Sequence, residues 1–310
     1  MTADDRVLSV AVAPEGVRAF LGDAVCAGGG SVVGVEEAEA VVWADPDDAA
    51  GLSKLLDSHD ALRWVQLPWA GIEPYVDVVR AHAERVWSCA KGVYAEPVAE
   101  HALALALACR RSLGAFARAG TWTKPRGEYL LGRRVTIVGG GGITESLLRL
   151  LEPFGCEVTV VRSTPQPMDG ADRVVAADHL DEALTGAHVV VLALALTADT
   201  VGLIDRRRLD LLAPGGVLVN VARGQHVVTD DLVAALDEGP LGGAGLDVTD
   251  PEPLPDGHPL WSRPEVLITP HTGNTPEMAL PLLSARVTEN VRRYRLGEPL
   301  LGLIDPAKGY

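Results

Sequence analysis

Residues 133–163, RRVTIVGGGGITESLLRLLEPFGCEVTVVRS, read as an apolar strand, a run of glycines, a helix without a breaker, Gly155 and a second apolar strand. Few folds accommodate that order. A flexible hinge has no reason to sit between an apolar strand and a continuous helix, whereas the turn that seats a dinucleotide pyrophosphate needs both. Counted from Gly139 in the pattern G-x-G-x-x-G, Gly139 makes the tight turn and Gly141 lets the backbone approach the phosphates. The helix beyond adds unpaired N–H groups and the positive end of its dipole. The third glycine position is Thr144. That position serves helix–strand packing, so its β-branch is expected to move the helix slightly off the sheet, with the hydroxyl facing the phosphate.

The same alternation runs along most of the 310 residues, a length that allows two domains with cores of their own. Strands are predicted at 6–12, 40–44, 63–67, 134–139, 157–162, 189–195, 216–221, 243–248 and 266–269. Several are apolar throughout, as strands covered on both faces are. The pattern predicts an α/β fold of doubly wound parallel sheets. A long helix is predicted from about Pro97 to Arg118, between two strand-rich blocks, and another from Pro276 to Arg295, ending before Gly297. If the latter packs on the first block, the smaller domain is built from both chain ends.

The net charge of −15 disfavours a nucleic-acid partner, because such affinity comes from Lys and Arg displacing counterions. Any bound anion is held by a local site against that field. Four cysteines, Cys26, Cys89, Cys109 and Cys156, lie too far apart for a zinc framework and suit a reducing cytosol. No metal is expected. The first ten residues lack the pattern of a secretory signal. The longest apolar runs, such as VVVLALAL at 189–196, fall short of the ~20 residues that span a bilayer. A cytoplasmic location is expected.

The end of the second strand of the glycine unit decides the cofactor. A carboxylate there accepts from the ribose 2′-hydroxyl of NAD. Here stand Arg162, Ser163 and Thr164. A guanidinium with two hydroxyls suits a 2′-phosphate, so NADP is expected ahead of NAD.

Three polar residues follow strand ends in the same block: Arg223 in VNVARGQ, Glu252 in LDVTDPEP and His271 in ITPHTGN. Ligands of doubly wound sheets bind beyond the carboxyl ends of strands, so the three can converge. Each alone has a plainer explanation: a surface charge, one acid of an acidic turn, a loop histidine. Together they are what reduction of a 2-oxo acid by NADPH requires. A guanidinium fork binds a carboxylate. A histidine donates a proton near neutral pH. A neighbouring carboxylate favours imidazolium and orients the ring.

The stretch NVARGQHVVTDDLVAALDEGPLGGAGLDVTDPEPLP, followed by ITPHTGN, resembles the D-isomer-specific 2-hydroxyacid dehydrogenase family. The resemblance covers nearly the whole chain, including VQLPWAGIEPY and YAEPVAEHALALAL. The closing LIDPAKGY looks like the end of the bacterial NADPH-dependent glyoxylate/hydroxypyruvate reductases. It implies a Rossmann cofactor domain at 98–280 and a smaller flavodoxin-like substrate domain made of 1–97 and 281–310. By the same resemblance Arg223 binds substrate, Glu252 pairs with histidine, and His271 is the general acid/base. Asp247 lies near the nicotinamide carboxamide, unless it only closes a turn. The cofactor also runs along Gly139, Gly141, Gly142, Ile143, Ala193, Val221, Ala222 and Gly273. The backbone of Ala70 and Gly71 holds the substrate carboxylate, with Trp69 and Tyr94 shaping the pocket. HTGN reads shorter than its counterpart in those reductases. His101 is expected only to pack within its helix, and His226 to make a loop contact. A homodimer through the helix at 97–118 and GTWTKPRGEY is implied.

Two other functions stay open on the sequence: a NADP-sensing corepressor-like interaction protein with little turnover, and a phosphoglycerate dehydrogenase. Against the latter, the chain ends soon after the last helix and few basic residues lie near 69–75.

Overall fold

Strands that carry helices on both faces become apolar along their whole length, and the burial pattern of this chain follows that rule. A computed structural model describes residues 7–307. Arg6, at the start of the first predicted strand, and Lys308, Gly309 and Tyr310 of the closing motif lie outside the described residues. The chain divides into two units, Met1–Tyr94 with Pro276–Tyr310, and Ala95–Thr275.

In the first unit β1 (Leu8–Ala13), β2 (Gly30–Val32), β3 (Ala40–Trp43), β4 (Trp64–Gln66) and β5 (Val86–Ser88) form a sheet of order β2-β1-β3-β4-β5. Every pairing is parallel, with Val10 opposite both Val32 and Ala40, and Gln66 opposite Ser88. This is the flavodoxin-like order. Trp43, Trp64 and Trp87 are fully buried in it, each contributing on the order of 5 kcal/mol of apolar burial before entropy is subtracted.

The helix Pro276–Leu296 belongs to this unit and is fastened to it at several points. A side chain at Gly28 would strike Val291 Cβ at 2.7 Å, so the helix lies directly on that backbone. Tyr294 stacks on Trp64 with ring centroids 5.1 Å apart. Asn290 Nδ2 donates to Gln66 Oε1 (2.7 Å), which also accepts from Ser88 Oγ (2.8 Å), itself an acceptor for Trp64 Nε1 (2.8 Å). Buried polar groups satisfied in this way specify one packing.

The second unit contains β6 (Arg134–Val138), β7 (Glu157–Val161), β8 (Arg173–Val175), β9 (Val189–Leu192), β10 (Gly216–Asn220), β11 (Leu241–Leu246) and β12 (Val266–Ile268). Its order, β12-β11-β10-β9-β6-β7-β8, is again all parallel. The strand order reverses between β6 and β9, which is the switch point of a Rossmann sheet, where dinucleotides bind. Apolar cores cover both faces, one around Leu192, Leu218 and Leu246, the other around Ile137, Val160 and Val219.

All nine predicted strands form, and β2, β5 and β8 are additional. The long helix of this unit runs over Ala95–Arg110 and stops short of the expected Arg118. Ser112 takes a left-handed conformation (φ 53°) and its N–H turns back to the Cys109 carbonyl at 3.0 Å; a separate short helix, Leu113–Ala117, follows. No helix among the described residues is long and apolar enough to cross a membrane.

Candidate active site

The glycine turn joins β6 to the helix Gly142–Leu151. Gly139 sits at φ +116° and donates its N–H to the Val161 carbonyl at 2.8 Å; a Cβ there would collide with the Ala193 carbonyl oxygen. Only glycine fits both conditions. Above Gly141 the space is open, as a backbone that receives a ligand requires. Thr144 corrects the expectation that its hydroxyl faces a phosphate. It is fully buried, and its Oγ1 donates to the Gly139 carbonyl at 2.9 Å. The hydroxyl is consumed in tying the helix's first turn to the glycine turn, so the position is structural.

Arg162 follows β7 and folds over the turn: a Cβ on Gly140 would lie 2.8 Å from both its Cδ and its Nε. Ser163 and Thr164 beside it are exposed. Ala193, Val221 and Ala222 follow the ends of β9 and β10 on the same edge. A glycine turn with an open backbone, a helix N-terminus and a flanking guanidinium therefore fit a dinucleotide phosphate group.

Arg223 lies just past β10, its Nη1 donating to the Ala222 carbonyl at 2.7 Å. The buried side chain of Asn220, not anticipated from the sequence, shapes this turn. It accepts from Ala222 N (3.0 Å) and donates to the Arg223 carbonyl (2.9 Å). The next residue, Gly224, abuts the Thr249 carbonyl so closely that no side chain fits. The turn of Arg223 is thereby pressed against the loop that carries Glu252. Within that loop Thr249 Oγ1 donates to the Pro251 carbonyl (2.9 Å), and Thr229 Oγ1 to that of Asp250 (2.7 Å).

Glu252 and His271 meet directly, with Glu252 Oε1 2.7 Å from His271 Nδ1. Both side chains are about half exposed, and the contact occupies Nδ1 of the ring, not Nε2. His271 has φ 51°, and its N–H donates to the Asp247 carbonyl at 2.8 Å. Asp247 itself is buried. Its Oδ1 accepts from Thr269 Oγ1 (2.6 Å) and Thr272 N (2.8 Å), and its Oδ2 from Gly273 N (2.9 Å). Burial alone drives this carboxyl's pKa upward; the bonds from His101, Thr269, Thr272 and Gly273 outweigh it and hold the group down at about 2. Its observed partners make it the clasp of the 269–273 turn. His101 does more than pack, since its Nε2 lies 2.9 Å from Thr269 Oγ1 and 3.3 Å from Asp247 Oδ1.

In the first unit Trp69 and Tyr94 meet edge to face with centroids 5.8 Å apart, and Tyr94 Oη donates to the Pro68 carbonyl at 2.8 Å. Burial pushes the Tyr94 phenol up to about 12, so it stays a donor. Ala70 is exposed and Gly71 half-buried beside them. The stretch 69–75 has no basic residue of its own, and Arg18 reaches it through the fold. This arginine arrives from the loop after β1 and stacks its guanidinium 4.8 Å over the Trp69 ring. Its φ of 50° left no trace in the sequence.

The carboxyl edge of the second unit can hold a dinucleotide along its glycine turn and present a paired histidine for proton transfer. That equipment defines a Rossmann-type dehydrogenase. Residues 102–273 match the family described as D-isomer specific 2-hydroxyacid dehydrogenase, NAD binding domain. A protein of Corynebacterium melassecola, described as an uncharacterized protein in the proB 3′ region, is 38% identical over 260 residues, 82% of this chain and 86% of its own. Glyoxylate/hydroxypyruvate reductase A of Serratia proteamaculans is 35% identical over 178 residues, 57% of this chain and 56% of the reductase. The chain thus matches little more than half the length of that reductase. A crystal structure of a D-isomer specific 2-hydroxyacid dehydrogenase from Xanthobacter autotrophicus Py2, in complex with NADPH and MES, has a TM-score of 0.81 and 27% identity, covering 98% of this chain and 99% of that one. The chain belongs to the D-isomer specific 2-hydroxyacid dehydrogenase family, oxidoreductases that act on CH–OH groups.

Proposed function

We propose that this protein reduces a small 2-oxo acid of the glyoxylate or hydroxypyruvate kind to the D-2-hydroxy acid, with NADPH as the reductant. The observation that carries the reading is the 2.7 Å contact of His271 Nδ1 with Glu252 on the carboxyl edge that also bears the glycine turn. Bound NADPH supplies the hydride. His271 supplies the proton to the carbonyl oxygen, from the ring nitrogen that Glu252 leaves open. Glu252 fixes the ring's orientation. Arg223 holds the substrate carboxylate with its planar fork. The cofactor is assigned to Gly139, Gly141, Gly142 and Ile143, with Ala193, Val221, Ala222 and Gly273 along its course. Arg162, with Ser163 and Thr164, is assigned to the 2′-phosphate. To the first unit we assign the substrate-binding residues Trp69, Ala70, Gly71 and Tyr94, adding Arg18.

The four cysteines are unpaired, which supports a place in the reducing cytoplasm. A homodimer built on the helix Ala95–Arg110 and the segment 120–129 completes the reading. The test is loss of NADPH absorbance against a panel of 2-oxo acids. Turnover of glyoxylate or hydroxypyruvate above that of longer 2-oxo acids is the expected result, and no turnover of any of them refutes the proposal.

A further inference from the structure

The helix Ala95–Arg110 crosses β11 on residues one turn apart. A Cβ on Gly243 would lie 3.8 Å from Cys109 Cβ, and one on Gly245 would lie 2.8 Å from Leu105 Cβ. The next rung of that stripe is His101, and it falls beyond the carboxyl end of β11, beside Asp247. There a Cβ on Gly273 would lie 3.6 Å from both His101 Cδ2 and Val98 Cγ2. An apolar stripe thus ends in an imidazole at the edge of the sheet where ligands bind.

The protons of this contact can be assigned. Thr269 Oγ1 has one hydrogen, and the oxygen lies 2.6 Å from Asp247 Oδ1. A carboxylate only accepts, so the hydroxyl donates to it. Toward His101 the same oxygen can then only accept, which puts the hydrogen on Nε2, 2.9 Å away. Asp247 also receives three successive amides: that of His271 on its main-chain carbonyl, and those of Thr272 and Gly273 on Oδ1 and Oδ2. These bonds hold His271 at φ 51°, a conformation that an L-residue keeps only where its surroundings impose it.

We propose that His101 is a positioning residue for His271. Its Nε2–H orients Thr269, and Nε2 also lies 3.3 Å from Asp247 Oδ1; Thr269 orients the Asp247 carboxylate, and that carboxylate fixes the turn that sets His271 against Glu252. The inference rests on His271 being the acid/base residue. It adds a histidine on another element that acts through Thr269 and Asp247.

The test uses the full chain and the variants His101→Leu, His101→Gln, Thr269→Val and the His101→Leu/Thr269→Val double. Amide hydrogen exchange of Thr272 and Gly273, read by NMR, is expected to quicken about tenfold in either single variant, the scale of one lost hydrogen bond. The double should fall short of the two single effects combined, because both changes act on shared contacts at Asp247. Glutamine, whose Nε2 donates from nearly the same place, should restore slow exchange. In parallel kcat should fall about tenfold in His101→Leu while the KM for the 2-oxo acid stays within twofold. Exchange unchanged in His101→Leu overturns the proposal, whatever Thr269→Val does. So does an additive double, or a loss in kcat that glutamine does not rescue. If exchange responds as described in a chain that reduces no 2-oxo acid, the relay stands and the proposed reaction falls.

Discussion

A proton donor that acts as hydride arrives contributes to the transition state and almost nothing to cofactor binding. His271→Ala is therefore expected to lower kcat by ~10²–10⁴-fold while the Kd for NADPH, measured by fluorescence, stays within about twofold. A comparable loss in both quantities would mean that the residue supports the cofactor site instead. Asp247 makes a different prediction. Its carboxyl is 4% exposed and sits at about 2 against an ordinary 3.8. A depressed carboxyl stabilises the fold above its unfolded pKa, and that contribution disappears as pH falls through the folded value. It amounts to on the order of 2 kcal/mol, lost between about pH 4 and pH 2. Asp247→Asn should flatten that part of the acid unfolding curve. An acid limb identical to the parent's would show that other carboxylates carry it. Arg223, Glu252 and His271 were legible at this scale because their residue types match a chemistry. Asn220 and Arg18 were not, since one acts through backbone bonds and the other reaches Trp69 only through the fold.

At the scale of elements, the end of β7 faces the glycine turn, and Arg162 lies against Gly140. A charge-assisted bond from this guanidinium to a 2′-phosphate favours NADPH, and a carboxylate in its place repels it. Arg162→Asp should lower kcat/KM with NADPH roughly 10–100-fold and leave NADH the better substrate. Parent kinetics that are equal with both cofactors would remove Arg162 from this role. The elements that the sequence concealed share a physical cause. β2, β5 and β8 are each three residues long, and each lies at the edge of its sheet. An edge strand has one hydrogen-bonded neighbour and a partly solvated flank, so it needs few apolar residues and shows no periodicity. Central strands such as β9 and β10 are buried at every position and could hardly be missed. The helix break at Ser112 was hidden because serine carries no strong breaking signal; its conformation is set by how the short helix Leu113–Ala117 packs. In that helix Gly114 admits Leu267 so closely that a Cβ would lie 2.6 Å from its Cδ2.

For the whole molecule, the segment after that break is the feature that needs a partner. Trp122 is wholly solvent-exposed at 101%, and Leu113, Tyr129 and Leu131 each expose more than half of their surface. Yet the segment is anchored to its own unit. Glu128 N donates to the Arg110 carbonyl at 2.7 Å, and Arg110 Nη2 returns a bond to the Tyr129 carbonyl at 3.2 Å. A bare indole beside the exposed Leu113, Tyr129 and Leu131, on a segment tied to its own unit, is the kind of apolar surface that interaction sites present. A second copy of the chain is the proposed partner, so light scattering at micromolar concentration should report twice the chain mass of 32.6 kDa. Trp122→Glu should shift the population to monomer, because it removes a large apolar contact and adds like charges across the twofold. The direction of the salt response is fixed as well. Each copy carries −15, so the copies repel, and screening that repulsion favours association. Raising salt from about 20 to about 200 mM, across which the Debye length falls severalfold, should tighten the dimer. Dissociation by salt would instead assign the contact to ion pairs, and a monomer at every concentration would leave Trp122 without its proposed role.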